Sequence, residues 1–179
     1  MKRPTLASLI LLATLVTAPV LAAKDGDAVI GPAFVKTCVA PAPDHASIKA
    51  AVAADAAWVS VPVPENFRVR GNWQDSDMAA WSRNFDGRNV LLVTISAPNS
   101  GGLTHNCIFL IEDNRPLKDY MPAFTAALQP LGLKLARTDS NNHSFYSGKL
   151  AGGGAVQIDL HGKSASLPGK RALHMAIAY

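Results

Sequence analysis

Asp86-Gly87 stands between two strand-like runs, "AAWSRNF" before it and "RNVLLVTIS" after it. Asp-Gly suits the two positive-φ positions of a tight hairpin turn, and flanking runs of this kind make it a strong local signal. Residues 79–85 are therefore expected to pair with residues 89–96, which commits this part of the chain to an antiparallel sheet. "APNSGGL" turns the chain again, into a third strand over residues 105–112, "HNCIFLIE".

Around this meander the apolar spacing becomes helical. Phe34, Val35, Cys38 and Val39 form one stripe. Asp44 is a good N-cap for a second helix over residues 45–58, because its carboxylate can accept from the first free N–H groups. Pro62 and Pro64 cannot continue that helix. Asp119 caps a third, in which Tyr120, Met121, Phe124, Leu128 and Leu131 share a face. Pro122 falls in its first turn, where a missing N–H does no harm, and Gly132 ends it. The remainder reads as strand, Gly turn, strand, long loop, strand. The fold class is α+β in the order α-α-βββ-α-βββ. It is an antiparallel sheet of about six strands with the helices packed on one face. The strand counts of the two halves match, but no internal sequence repeat relates them.

The last two strands carry a register expectation. Val156, Ile158 and Leu160 alternate with polar partners, and Leu173, Met175, Ile177 and Tyr179 do the same. Pairing both apolar sets toward one core restricts the register to steps of two residues. Placing His161 opposite Ala172 sets Asp159 opposite His174 on the outer face, where the carboxylate should raise the histidine pKa.

The N-terminus, "MKRPTLASLILLATLVTAPVLAA", has a short positive region, an apolar run and small closing residues, the layout of a secretory signal peptide. Residues 1–22 are assigned to that leader, 23–32 to a flexible lead-in and 33–179 to a single domain. No other apolar run approaches the roughly 20 residues a bilayer span requires. The processed chain is thus expected outside the cytoplasm, in the periplasm or beyond, with no membrane partner. Lys2 and Arg3 leave with the leader, which reduces the formal charge of +4 by two. So small a surplus, with no basic block, argues against nucleic acid.

The chain has two cysteines, Cys38 and Cys107. Three readings of Cys107 compete. His105 shares its strand face and could activate it as a thiolate, but an apolar setting beside Phe109 would raise the thiol pKa. A histidine-based metal site would need ligands from afar, since there is no CxxC or HxxxH pair. A disulfide with Cys38 fits the even count, the oxidising compartment and the two apolar faces, and it is the expected state. It would staple the first helix to a central strand.

Other candidate binding positions are weaker. Loop residues Asn99, Gly101 and Gly102 lie in a link longer than a hairpin needs, where binding often sits. Lys163, Lys170 and Arg171 gather with His161 around a long loop that could hold an anion. "AGGGA" lacks the Lys-Ser/Thr tail of a phosphate loop, and there is no GxSxG. Trp58, Trp73 and Trp81 could stack on a sugar or peptide, although tryptophans in a domain of this size usually serve the core. Glu65, Asp75, Asp77, Glu112 and Asp113 are scattered near turns. No catalytic constellation assembles and no cofactor is implied. The sequence therefore reads as an exported, disulfide-stapled, non-catalytic binding module for an unidentified ligand or protein. A thiol-dependent or hydrolytic enzyme using Cys107 and His105 is the alternative, and a histidine metal binder the third.

Overall fold

The computed structural model describes residues 25–42, 44–65, 67, 76–99, 102–112, 117–138, 143–150, 155–161 and 172–179. Residues 1–24, which include the expected leader, and residues 162–171, where a loop was expected, lie outside them. The Asp86-Gly87 turn forms as expected, with φ of 49° and 83° at the two positions. It joins β2 (Asp77–Phe85) to β3 (Arg88–Asn99), with Phe85 opposite Arg88. Asn84 reinforces the turn. Its side-chain oxygen accepts the Gly87 N–H at 2.8 Å, and its Nδ2 donates to Asn89 at 3.0 Å.

The sheet is larger than six strands. Eight antiparallel strands are present, because β1 (Val59–Val61) and β5 (Lys134–Thr138) add to the two meanders. Both are edge strands: β1 has three residues, and every residue of β5 is exposed. With β5 lacking a core face and β1 only three residues long, neither shows the alternation that marks a strand. The others are β4 (Gly102–Glu112), β6 (His143–Lys149), β7 (Ala155–His161) and β8 (Ala172–Ala178). Their spatial order is β1-β2-β3-β4-β8-β7-β6-β5. The chain runs inward through four strands, crosses to the far edge, and returns inward through four more. β4 and β8 meet at the centre, and a backbone pair between His105 and Tyr179 (3.1 and 3.2 Å) extends their ladder.

The expected lead-in is instead largely helical. α1 (Asp25–Phe34) runs into a turn of π-helix, Val35–Val39, closed by the Ala40 N–H donating to the Val35 carbonyl at 2.8 Å. Gly31 lets α1 lie against α3 (Met121–Leu128), since a Cβ there would meet the Ala123 carbonyl oxygen at 3.3 Å. α2 (His45–Ala54) begins where Asp44 caps it, accepting from Ala46 and Ser47 N–H at 3.0 and 3.2 Å. It stops four residues before the expected end, and Asp55 is already extended. In α3 the cap position is Tyr120, one residue past Asp119, and Gly132 follows with φ of 71°.

α1, α2 and α3 cover one sheet face. Phe34 links them to it, packing edge-on against Phe109 at 5.3 Å and tilted against Phe124 at 5.9 Å. At the centre of this core Cys38 and Cys107 form a fully buried disulfide, with Cα atoms 5.6 Å apart. The expected crosslink is therefore present. A second, smaller core lies on the opposite face, where Phe67, with Val61 and Val63, covers Ala80, Val93, Ile95, Ile108 and Leu110. β3 and β4 are thus buried on both faces, which is why they read as continuous apolar runs rather than alternating ones.

The last hairpin takes the register two residues from the one expected. His161 pairs with His174 and Asp159 with Ala176. A two-residue step leaves the same side chains facing the core, so alternation cannot choose between the two registers. Pairing of β8 with β4 sets it.

Two outcomes test this packing. The crosslink closes a separation of 69 residues, worth about 4 kcal/mol in the chain-entropy account. Urea unfolding of a Cys38→Ala/Cys107→Ala variant should show a loss of that order, and the oxidised, unfolded wild type should titrate no thiol. Thr94 is fully buried on β3, opposite Cys107, and its hydroxyl has no partner among the described residues. Thr94→Val should raise stability by about 1 kcal/mol, because it removes a desolvated hydroxyl. A drop in the urea midpoint would contradict this.

Candidate ligand-binding site

Among the described residues, neither Asn99 nor Gly102 lines either of the two recesses described below. Asn99 and Gly102 are paired strand ends, opposite each other across the β3–β4 hairpin, so the segment between residues 96 and 104 is mostly ladder rather than long loop. Gly101, Lys163, Lys170 and Arg171 lie outside the described residues. Asp159 faces His143 of the neighbouring strand, with Oδ1 3.8 Å from Nδ1, instead of standing opposite His174. Cys107 has no thiol to offer as a nucleophile, because its sulfur is bonded to Cys38. The thiol-enzyme reading ends there.

Two other places bring chemistry together. The first lies where the N-terminus of α2 meets the ends of β4 and β8. His45 stacks on His105 at 4.7 Å, and His105 stacks on Tyr179 at 5.7 Å. His45 Nδ1 lies 3.3 Å from the Tyr179 hydroxyl. His45 Nε2 and His105 Nδ1 are buried without a hydrogen-bond partner among the described residues. Asp44, Lys49 and Asp77 complete an open cleft of about 570 Å³, in which Lys49 Nζ binds Asp77 Oδ2 at 2.7 Å. Burial, with the His105 and Lys49 charges next, holds His45 below the ordinary imidazole value, and burial pushes the Tyr179 hydroxyl well up. The Lys49 hydrogen bond holds Asp77 below the usual carboxylate range. At neutral pH the His45 imidazole is neutral and the Tyr179 phenol keeps its proton. The cluster can give and accept hydrogen bonds, but Tyr179 is a poor base. Among the described residues no three His, Cys, Asp or Glu side chains converge on a metal position.

The second place is a recess of about 340 Å³ between α1, the π-turn, α2 and β2. Val29, Pro32 and Ala33 wall one side, and Ala51 and Val52 the other. Trp58 and Phe85 line it further, with their ring centroids 6.0 Å apart. Trp58 also packs edge-on against Phe109 of β4 at 5.5 Å. The polar groups are Lys36, Thr37, Asp55 and Arg83. The Arg83 guanidinium lies over the Phe85 ring at 4.7 Å and the Trp58 ring at 5.8 Å, and its Nη1 donates to Asp55 Oδ2 at 2.8 Å. The Ala57 N–H, with Arg83 beside it, holds the Asp55 carboxyl below its usual range. Apolar walls with a few fixed polar groups are the usual make-up of a small-ligand site, and the volume is at the lower end for one.

Comparison of the chain with protein-family models, with curated proteins and with solved structures found no match.

Sequence reasoning missed Lys36, His45, Lys49, Arg83 and Tyr179, because each belongs to a site assembled from distant segments. Trp58 and His105 were the visible signals, one for each site.

The histidine cluster predicts a pH dependence. A lowered folded pKa means that the unfolded chain takes up the His45 proton first. The His45 contribution is therefore intact above about 6.5, falls as pH drops from there to the lowered value, and levels off below it. Asp44 and Asp77, the carboxylates facing it, titrate lower, since both are held below the usual range. Urea midpoints of wild type should fall between pH 7.5 and 5, and His45→Gln should flatten that slope. Equal slopes in both proteins would disprove the assignment.

Proposed function

We propose that this chain is an exported, disulfide-stapled binding module that takes a small apolar ligand in the recess beside Trp58. The observation that carries the reading is the recess itself. Apolar side chains from three elements line a hollow in which an arginine is already fixed by stacking and an ion pair. Trp58 and Phe85 are buried beneath a partly exposed Arg83, so the hollow combines apolar lining with one fixed polar group, as small-ligand sites do.

Export draws support from the leader-like N-terminus and from the buried crosslink, which persists in oxidising compartments. A binding role rather than a catalytic one draws support from the chemistry of the titratable groups. His45 is held neutral, Tyr179 is held protonated, and Cys107 is committed to the disulfide.

The test is titration with N-phenyl-1-naphthylamine, a neutral apolar fluorophore. Wild type should bind one equivalent saturably. Ala51 is an exposed α2 residue on the rim, so Ala51→Trp should fill the recess, weaken binding at least about tenfold and leave the urea midpoint nearly unchanged. No saturable binding by wild type, or equal binding by the filled variant, would rule the recess out. Export is checked separately by intact mass of protein recovered from its own host, which should lack residues 1–22.

A further inference from the structure

We infer that the ligand of the Trp58 recess is an alkyl carboxylate, with its chain against the apolar walls and its carboxylate between Arg83 and Lys36. The inference rests on the reading of the recess as a ligand site and names the chemistry that site selects.

The argument starts from the donors left over. A guanidinium carries five N–H donors in a rigid fork. Among the described residues Arg83 gives one hydrogen bond, to Asp55 Oδ2. Its side chain is 30% exposed, lies over Phe85 and Trp58 and lines the hollow, so the rest of the fork is left without an acceptor among the described residues. Covering these groups with a purely apolar ligand would strip their water and return nothing. A carboxylate meets them with charge-assisted hydrogen bonds.

The local charge agrees. Lys36, on the π-turn, and Arg83 face a single carboxylate, Asp55. Both Asp55 oxygens are already engaged, Oδ1 with the Ala57 N–H at 3.0 Å and Oδ2 with Arg83. Lys36 has no ion-pair partner among the described residues, so one positive charge is unmatched at the mouth. The rest of the lining includes aliphatic side chains, and one of them, Val29, is 44% exposed, a large apolar side chain left uncovered. Two cations and aliphatic side chains lining one small recess match a short chain with an acid at its head.

Octanoate and 1-octanol are the probes, each competing with N-phenyl-1-naphthylamine on the full chain with its disulfide intact. Octanoate should compete at least about tenfold better than octanol, the value of one charge-assisted contact. Lys36→Gln, an exposed change, should weaken octanoate about five- to tenfold and leave octanol and the fluorophore unchanged. Arg83→Lys keeps the charge but loses the fork, and should weaken octanoate similarly. If the fluorophore binds but octanoate competes no better than octanol, the carboxylate inference falls while the recess stands. Insensitivity of octanoate to both substitutions also overturns it. If N-acetyl-leucine competes more strongly than octanoate, the recess belongs to the C-terminus of a peptide chain and the alkyl ligand is wrong. If the fluorophore itself does not bind, it is the recess that fails.

Discussion

The Cys38–Cys107 bond lies at the mechanical centre of the molecule. Cys107 is on β4, the strand where the two four-stranded halves meet, and Cys38 is in the π-turn that carries α1 onward toward α2. Without the bond, α1 and the π-turn would be held only by apolar contacts such as Phe34 on Phe109 and Phe124. With it, the helical layer is fixed in position over β4 before those contacts are counted. A helix of ten residues with Pro32 inside it has little intrinsic stability, and most of its order comes from what it packs on. The crosslink supplies a covalent form of that packing. The extra residue of a π-turn just there re-aims the chain, and both Cys38 and Val39 end up fully buried.

What the sequence revealed follows from which interactions are local. The Asp86-Gly87 turn and the Asp44 cap are set within four residues, and both formed at the positions read for them. The apolar face of α3 was legible because Tyr120, Phe124 and Leu128 recur at helical spacing. The strands that escaped notice were those whose identity is given by a neighbour. β5 is exposed along its whole length and is a strand because β6 pairs with it. β1 has only three residues beside two prolines and depends likewise on β2. The register of β7 on β8 was undecidable for the same reason, since β4 decides it from the other side. Residues 25–32 looked like a linker because Gly and Pro weaken a helix locally. Here Gly31 is what allows α1 to approach the Ala123 carbonyl.

The sites follow the same rule more sharply. Loop glycines and a basic stretch draw attention in a sequence because they cluster along the chain. The recess beside Trp58 is instead built from residues 29–37, 51–58 and 83–85, and the histidine cluster joins His45, His105 and Tyr179. No local pattern announces either one. Trp58 and His105 were visible as chemistry, but their partners came from the fold. Trp58 turned out to serve the core and the recess at once, packing edge-on against Phe109 while lining the hollow.

The recess and the crosslink are therefore not independent. Lys36 and Thr37, on one wall, directly precede Cys38. Trp58, on another, rests on Phe109, two residues from Cys107 and on the same face of β4. The bond thus holds two sides of the hollow at a fixed separation, which lowers the ordering cost that any ligand must overcome on entering. By linkage, a ligand that binds only this arrangement stabilises the fold that the disulfide imposes. A chain of this size with a split core, one part on each side of the sheet, gains from both effects. The covalent tie organises the proposed binding surface, and occupancy of that surface would reinforce the helical layer that the tie holds in place.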